Sequence, residues 1–367
     1  MKVIIVNAHI SDQLGGSEMQ CDLIAKGLTQ IGHQVLYAAV GKNRKNQYKG
    51  SSYRIEPLDL TNKKEIKSML TQFGPDIIYW RFNKNHLKAI MELKQELDIP
   101  FVFGVSSKRD TQKYAYAERK GLNPIKKWAY YLKHMRSSAI GYNLIKNADA
   151  VTVLNSQYLN KLPVKKQRTV WNAASVVAEP FNWPKPFVLW VANLKAIKRP
   201  EVFMHLARKF KEQQPEVDFI MIGDLKEKVP YQSMIDEAKT LPNFHYLGKK
   251  TPEFVNGAFA SAYCMVHTCK PEGFGNNFIQ AWLQGCPTLT LDHDPDGLIA
   301  KEKLGFASGT TEQITQDLKK LLNDPELRDE QSKKASKFSH EYFLPEKLTT
   351  RMTEFLEEVL EANRTGS

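Results

Sequence analysis

The feature that most constrains the fold is an alternation of short apolar runs and amphipathic segments, which begins at residue 2 and begins again at residue 187. Residues 2–6 form a β-branched run, a polar loop follows at 8–16, and apolar side chains then recur at helical spacing up to Ile31. A second apolar run at 35–40 completes a strand, a helix and a strand. Such a unit is right-handed, and its repetition predicts a doubly wound α/β fold with parallel sheets.

The alternation fills both halves of the chain. In the first half we expect helices at residues 63–73 and 87–97 and strands at 77–80, 101–105 and 150–154. In the second half we expect strands at 187–192, 218–222, 244–247, 263–267 and 288–291, helices at 200–210, 232–240, 252–260 and 277–284, and a helical tail from 311. A proline-rich stretch without periodicity separates the halves. We therefore predict domains at 1–178 and 187–344 and a linker at 179–186, with ligands bound in a cleft at the carboxyl ends of the strands.

Charge divides the two halves. The 367-residue chain carries 52 Lys and Arg against 40 Asp and Glu, a formal net charge of +12. Residues 1–178 hold 28 basic against 13 acidic side chains, whereas residues 179–367 hold 24 against 27, so the whole excess is N-terminal. With 42% hydrophobic and 25% charged residues, the composition is that of a globular protein and excludes disordered, collagen-like and coiled-coil chains.

The cysteines, the apolar runs and the N-terminus indicate the cellular compartment of the protein. The four cysteines form no Cys-x-x-Cys pair, and we predict that they are small core residues in a reducing environment. No apolar run approaches the roughly 18–20 residues of a membrane-spanning helix. The N-terminus lacks the apolar core of a signal peptide. These features predict a cytoplasmic protein.

The stretch most informative about chemistry is residues 270–287, where a glycine-rich loop leads directly into a helix. Glu272 lies on this loop, and Gln280 lies about one turn inside the helix. Gly273 and Gly275 allow the backbone to approach a ligand closely, and the free amides at a helix start bind phosphate oxygens. Such a loop can hold an anion and contact sugar hydroxyls at the same time.

This stretch, Pro271-Glu-Gly-Phe-Gly275, resembles the signature of the retaining glycosyltransferases of family 4 (glycosyl transferases group 1). Further similar segments follow in the family's order: Gly15-Gly-Ser-Glu18, Gly32-His-Gln-Val35, Gly74-Pro-Asp-Ile-Ile78, Ala148-Asp-Ala-Val151 and Ile222-Gly-Asp224. The resemblance implies a GT-B fold of two facing Rossmann-like domains with a deep interdomain cleft. It also implies that residues 1–178 bind the acceptor, that 187–344 bind the nucleotide sugar, and that a helix at 345–367 crosses back to the first domain.

The resemblance assigns the donor contacts to the second domain. Glu272 matches the catalytic glutamate that contacts donor-sugar hydroxyls. Gln280 stands where the family has a second glutamate on the nucleotide ribose, and an amide can still accept from one hydroxyl and donate to another. The other positions that match donor-binding segments are Gly223, Gly248, Gly273, Phe274, Gly275, Asn276 and Asn277.

A cluster of basic residues precedes the first helix of the second domain. Lys198 matches the family lysine that neutralises the donor diphosphate, and the resemblance makes it catalytic. The arginine that usually comes five residues earlier is Asn193 in this chain. We expect Lys195 or Arg199 to compensate, because a departing diphosphate needs cationic partners.

The resemblance implies no metal and no other cofactor, since the nucleotide diphosphate sugar is itself the substrate. One acidic series, Asp292-His-Asp-Pro-Asp296, is similar to the triplets that chelate a metal diphosphate in other transferases. It follows a strand in a segment that is a turn-rich loop in the family, so we expect no metal ligation there.

In the first domain, Gly15 and Gly16 match the family's glycine loop, which lies near the phosphate and the acceptor. The family's histidine after the fourth strand is replaced by Ser106, which we assign to the same acceptor and phosphate region. His267 lies just before the glutamate loop of the second domain, and we expect it to be a packed or capping residue.

Residues 108–146 concentrate the positive charge, with ten Lys and Arg against two acidic residues and six interleaved aromatic side chains. Basic helices with Trp and Tyr bind the headgroup region of anionic membranes. The residues that we expect at the membrane are Lys126, Lys127, Trp128, Tyr131 and Lys133. This pattern predicts a peripheral site on the inner face of the membrane.

The sequence therefore predicts a retaining hexosyltransferase that uses a UDP- or GDP-linked sugar and a glycan or lipid-linked acceptor, in cell-surface polysaccharide or glycolipid biosynthesis. Two alternatives stay open. A nucleic-acid-binding protein would use the basic residues 108–146, although the chain contains no recognised nucleic-acid motif and we expect no nucleic-acid partner. A GT-B sugar-nucleotide epimerase would share the fold and use other catalytic residues.

Overall fold

In the computed structural model, which describes residues 1–12, 15–41, 51–115, 123–270 and 273–365, the chain forms two parallel sheets. The sheets lie in separate units. Unit 1 comprises Met1–Ala173 and Pro345–Ser367, and unit 2 comprises Ala174–Leu344.

The sheet of unit 1 has seven described strands in the order β3-β2-β1-β4-β5-β6-β7. They are β1 (Lys2–Asn7), β2 (Gln34–Val40), β3 (Arg54–Leu58), β4 (Ile77–Trp80), β5 (Phe101–Val105), β6 (Ala150–Val153) and β7 (Lys166–Thr169). The flanking helices are α1 (Gly16–Gln30), α2 (Lys63–Phe73), α3 (Lys88–Glu96) and α4 (Pro124–Ile145). Helix α2 begins where the side chain of Asn62 accepts from the amide of Glu65, and it ends at Gly74, which has a φ of 61°.

The sheet of unit 2 has six described strands in the order β10-β9-β8-β11-β12-β13. They are β8 (Phe187–Val191), β9 (Asp218–Ile222), β10 (Phe244–Gly248), β11 (Cys264–His267), β12 (Thr288–Thr290) and β13 (Gly305–Ala307). The helices are α5 (Pro200–Gln213), α6 (Lys228–Ala238), α7 (Pro252–Ser261), α8 (Asn276–Leu283), α9 (Leu298–Glu302), α10 (Thr311–Asn323) and α11 (Pro325–Tyr342). The expected doubly wound α/β architecture is confirmed.

The last helix, α12 (Pro345–Thr365), belongs to unit 1 and packs on α1. Its apolar stripe, which includes Met352 and Leu356, joins the core beneath β1 and β2. The two helices approach so closely at Gly27 that a Cβ atom there would lie 1.8 Å from Oγ1 of Thr349. A glycine is therefore required at this crossing.

Residues 174–186 belong to unit 2, whereas the sequence placed them partly in the first domain and partly in a linker. The side chain of Asn256 on α7 donates to the carbonyls of Ser175 at 3.0 Å and Val177 at 2.7 Å. The amide of Glu179 donates to the carbonyl of Glu253 at 3.0 Å. This segment lacks periodicity because side chains and backbone of a neighbouring helix, rather than a regular ladder, satisfy its polar groups.

All four cysteines are buried thiols, as predicted. Within the described part of the chain, no helix combines the length and the hydropathy that crossing a membrane requires.

Candidate active site

Two loops of unit 2 leave the sheet side by side. Strands β8 and β11 are parallel neighbours, and the chain proceeds from β8 to β9 on one side and later to β11 on the other. Ligands of open parallel sheets bind where the strand order reverses in this way. The loop after β8 carries Lys195, Lys198 and Arg199, and the loop after β11 leads to Gly273 and Gly275. The fold therefore brings the two predicted donor-binding segments together.

Thr268, the first residue after β11, fixes the lysine loop. Its hydroxyl donates to the carbonyl of Lys198 at 2.6 Å and accepts from the indole nitrogen of Trp190 at 3.0 Å. Thr268 and Trp190 are almost completely buried, so water does not compete for these hydrogen bonds. The position of Lys198 thus depends on a threonine and a tryptophan that the sequence analysis did not identify.

Two further hydrogen bonds join the same loops. The amide of Lys270 donates to the carbonyl of Ile197 at 3.1 Å. The side-chain amide of Asn277, in the first turn of α8, donates to the carbonyl of Val191 at 3.0 Å. The start of α8, a helix N-terminus of the kind that suits an anion, is therefore held beside the end of β8.

The basic residues of the lysine loop differ in their surroundings. Lys195 and Asn193 are exposed, whereas Lys198 is half-buried. Arg199 has a φ of 50°, and its guanidinium forms an ion pair with Asp292. That carboxylate also lies 3.0 Å from the ammonium of Lys270. The geometry thus directs Arg199 toward a carboxylate of its own unit, whereas the sequence assigned it to the donor diphosphate.

The glycine-rich loop is anchored by its aromatic residue. Phe274 is only 1% exposed and packs against Phe343, with ring centroids 5.7 Å apart. Its carbonyl lies 3.2 Å from Nε2 of His293. Gly275 then has a φ of 92° and stands just before α8, where Asn276 follows. The buried ring of Phe274 therefore anchors the loop to the interior of unit 2. The predicted catalytic residue Glu272 lies outside the described residues.

Gln280 lies on α8 and is tied to α7. Its amide nitrogen donates to Oδ1 of Asn256 at 3.1 Å, which leaves the amide oxygen of Gln280 to accept from a ligand. The same Asn256 side chain holds residues 175 and 177. The sequence placed Gln280 on the ribose, and the structure adds that one of its two side-chain N–H donors is already used by Asn256.

Gly223 and Gly248 lie at the carboxyl ends of the neighbouring strands β9 and β10. The amide of Gly223 donates to the carbonyl of Gly248 at 3.0 Å. A Cβ atom at position 223 would lie 1.7 Å from the carbonyl oxygen of Ala192, so the chain passes β8 at a distance that only glycine permits. The two glycines therefore allow close backbone contact between the ends of β8, β9 and β10.

The acidic series and the histidine of this region have structural partners. The carboxylate of Asp294 accepts from the amides of Ile299 at 2.8 Å and Ala300 at 3.1 Å, and burial raises its pKa. His267 is buried and packs on Phe278, with ring centroids 4.4 Å apart. Over the described ranges, no group of three or more His, Cys, Asp or Glu side chains is placed to hold a metal ion.

Unit 1 contains a polar cavity of about 410 Å³ at the carboxyl ends of its own strands. The cavity is lined by Asn7 at the end of β1, Ser17 and Glu18 on α1, Arg81 after β4 and Ser106 after β5. Gly15 and Gly16 stand at the start of α1, so the predicted glycine loop and Ser106 do lie in one region. The sequence analysis missed Arg81, because a single arginine after a strand carries no motif.

Helix α4 presents two different faces. Tyr130, His134 and Ser138, four residues apart, line the cavity. On the opposite side Ile125, Trp128 and Leu132 are exposed by 81%, 66% and 44%. Among the predicted membrane residues, Lys126, Lys127, Tyr131 and Lys133 are exposed together with Trp128.

Comparison with known proteins identifies the family. The family described as "Glycosyl transferases group 1" matches residues 175–338, and the family described as "Glycosyltransferase Family 4" matches residues 14–161. The chain belongs to the family 4 glycosyltransferases. As a glycosyltransferase it is an enzyme. No curated protein matches the sequence.

Solved structures show that this glycosyltransferase has the GT-B fold. Sucrose-phosphate synthase from Thermosynechococcus elongatus is 14% identical with a TM-score of 0.79, over 99% of this chain and 100% of that chain. Anabaena Alr3699/HepE in complex with UDP is 15% identical with a TM-score of 0.76, over 98% and 100%. WaaG, a glycosyltransferase involved in lipopolysaccharide biosynthesis, is 14% identical with a TM-score of 0.67, over 95% and 98%.

Proposed function

We propose that this glycosyltransferase moves a hexose from a UDP- or GDP-linked sugar to a glycan or lipid-linked acceptor, with retention at the anomeric carbon. The reaction would serve cell-surface polysaccharide or glycolipid biosynthesis. The observation that carries the proposal is the hydrogen-bonded pair of loops in unit 2, which sets Lys198 beside the glycine-rich loop and the start of α8. The Anabaena HepE structures, which hold UDP or UDP-glucose on the same fold, support a nucleotide diphosphate sugar as donor.

The chemistry follows from the charges at these loops. The bond between the anomeric carbon and the diphosphate breaks, and the leaving group takes the electron pair. The acceptor hydroxyl oxygen bonds to the anomeric carbon on the same face, and its proton passes to the departing phosphate oxygen. Lys198 and the amides at the start of α8 stabilise the negative charge that develops on the diphosphate. Glu272 contacts the hydroxyls of the donor sugar, and the amide oxygen of Gln280 accepts from the ribose.

We further propose that transfer needs no metal ion. The support is that two carboxylates near the loops are already used by the protein. Asp292 is paired with Arg199 and Lys270, and Asp294 caps α9. Turnover that survives treatment with a chelator would agree with this proposal, and loss of turnover that Mg²⁺ restores would contradict it.

The experiment that tests the proposed reaction is product analysis with a panel of UDP- and GDP-linked sugars, with the anomeric configuration read by NMR. Glu272→Ala should abolish transfer and leave the thermal unfolding midpoint unchanged. Glu312→Ala, on the exposed first turn of α10, is the matched control and should transfer at the wild-type rate. Unchanged turnover in Glu272→Ala, or an inverted product, would refute the assignment.

We also propose that the acceptor is presented at an anionic membrane surface on the inner face, where α4 docks. Ile125, Trp128 and Leu132 form an exposed apolar stripe at helical spacing, and Lys133 and Arg136 lie beside it. Aromatic and aliphatic side chains enter the headgroup region, and each nearby basic residue adds about 1 kcal/mol at low salt. Because the other face of α4 lines the cavity, docking would bring that cavity close to the membrane.

Vesicle co-sedimentation tests this docking. The double variant Ile125→Ser and Trp128→Ser should lose binding to vesicles that contain phosphatidylglycerol. Val177→Ser removes a side chain that is similarly exposed in unit 2, and it should bind as the wild type does. Equal binding to neutral and anionic vesicles, or wild-type binding by the double variant, would contradict the proposal.

A further inference from the structure

The cavity of unit 1 contains a buried cation whose hydrogen-bond partners are neutral side chains. Arg81 is only 6% exposed. Its Nη2 donates to Oδ1 of Asn172 at 2.8 Å, its Nε lies 3.4 Å from Oγ of Ser106, and the Tyr79 hydroxyl is a further neighbour. Among the residues that the structure describes, no carboxylate forms an ion pair with this guanidinium.

An arginine in this position is unusual for energetic reasons. A guanidinium removed from water loses several kcal/mol of solvation, and a neutral amide and hydroxyl replace only part of it. Buried charges are therefore normally paired or in contact with a ligand. Arg81 faces a cavity of about 410 Å³, large enough for a phosphate or a sugar unit.

The other charged groups of the cavity are used by the protein. The ammonium of Lys84 donates to backbone carbonyls, among them that of Arg109 at 2.6 Å. The carboxylate of Asp110 accepts from the amides of Ser106 and Ser107, each at 2.9 Å, and burial raises its pKa. Glu18 lies at the start of α1, and Arg109 and His134 lie at the cavity wall. Arg81 thus has no carboxylate in direct contact within the described chain, although the nearby Asp110 carboxylate favours its charged form.

We infer that this cavity binds an oxyanion, a phosphate or a carboxylate, that one of the enzyme's sugar substrates carries, and that Arg81 is its charge partner. The guanidinium offers two donors in one plane, which suits both oxyanions. Ser106 and Asn172 hold that plane toward the cavity. The assignment to a substrate rests on the proposed transferase function, whereas the anion site itself rests on the geometry of unit 1.

Direct binding tests the anion site without any turnover. The probes are inorganic phosphate and glucuronate, with glucose as the neutral comparison, measured by calorimetry on the full chain with saturating UDP. Arg81→Met should weaken binding of both anions at least about tenfold, as expected for a lost charged hydrogen bond. Arg208→Met makes the same change on an exposed residue of unit 2 and should leave binding unchanged. Anions that bind no more tightly than glucose, or full binding by Arg81→Met, would overturn the inference.

A second variant keeps the test decisive if Arg81→Met fails to fold. Ser106→Asp places a carboxylate where the hydroxyl now lies 3.4 Å from Nε of Arg81. It supplies an internal counter-ion to Arg81, so the folded protein should lose anion binding. A Ser106→Asp protein that folds and still binds phosphate as the wild type does would refute the role of Arg81.

Steady-state kinetics then identify the substrate that carries the anion. A raised KM for the acceptor in Arg81→Met, with the KM for the donor unchanged, assigns the anion to the acceptor. The reverse result assigns it to a carboxylated donor sugar. An active Arg81→Met enzyme in which neither KM changes would overturn the inference and leave the proposed transferase function intact.

Discussion

The hydroxyl of Thr268 offers the sharpest test of how the donor loops are assembled. Thr268→Val keeps the shape of the side chain and removes the hydroxyl that donates to the Lys198 carbonyl at 2.6 Å. It also leaves the indole N–H of Trp190, which is 2% exposed, without its acceptor at 3.0 Å. One lost hydrogen bond and one unsatisfied buried donor together lower the free energy of unfolding by about 2–3 kcal/mol.

The consequence for activity follows from the same bond. Once its carbonyl is released, Lys198 no longer has a fixed position relative to the departing diphosphate. A displacement of about 1 Å at a catalytic group costs up to about 100-fold in rate, so we expect kcat/KM to fall by tenfold or more. Urea unfolding gives the stability change, and initial rates at varied donor concentration give the activity.

The chain provides a matched control for this variant. Thr288 is fully buried, and its hydroxyl accepts from the indole nitrogen of Trp282 at 3.0 Å, also in unit 2. Thr288→Val should therefore lose about 1–3 kcal/mol of stability and keep its kcat/KM, because its hydroxyl does not touch the lysine loop. Thr268→Ser retains the hydroxyl and should remain active. If Thr268→Val and Thr288→Val reduce kcat/KM equally, the positioning role of Thr268 is wrong.

Two further predictions concern unit 1. Burial lowers the pKa of Lys84 to about 8 from its ordinary value of 10.5. Between these two pH values the unfolded chain binds more protons than the folded chain, so the free energy of unfolding rises with pH. Lys84→Met should remove this rise in the free energy of unfolding, as measured with urea between about pH 8 and 10.5. The same dependence on pH in both proteins would contradict the prediction. Gly141→Ala would place a Cβ atom 2.4 Å from the carbonyl oxygen of Lys84, so the unfolding midpoint should fall, whereas the neighbouring change Ile140→Ala on the exposed face should have little effect.

The interior of both sheets could be predicted from the sequence. Strands β4, β5 and β9 have the expected bounds, and helix α2 covers the expected residues 63–73. These elements are apolar runs or amphipathic segments with glycine or a capping residue at their ends, and the core requires that pattern wherever a strand is covered on both faces. The pattern is therefore strong where burial is complete.

The strands that the sequence missed are all at the edges of the sheets. Strand β7 reads Lys-Gln-Arg-Thr and is only half-buried, and β3 contains Glu56 and Pro57. Strand β13 spans only three residues. An edge strand has a neighbour on one side only, so it needs no continuous apolar run and tolerates proline and charge. Periodicity alone cannot detect such strands.

The candidate sites divide in a similar way. The glycine-rich loop and Lys198 are found through a motif that is local in sequence. Thr268 and Trp190 are 78 residues apart, and Arg81 and Asn172 are 91 residues apart, so each of these pairs is created by the topology of its sheet. A lone threonine or arginine after a strand gives no sequence signal until the strand order is known.

Two sets of basic residues in unit 1 lie in environments that salt can distinguish. Lys126, Lys127 and Lys133 are exposed on α4, and the proposed attraction to an anionic membrane would act over a Debye length of about 10 Å at 0.1 M salt. Arg81 is 6% exposed and would contact its ligand directly, where ions screen it far less. Raising the salt concentration from 0.05 to about 0.5 M should therefore abolish vesicle binding well before it abolishes phosphate binding in the cavity. If both are lost together, the charge of the cavity acts through the surface potential of the unit rather than through a direct contact with Arg81.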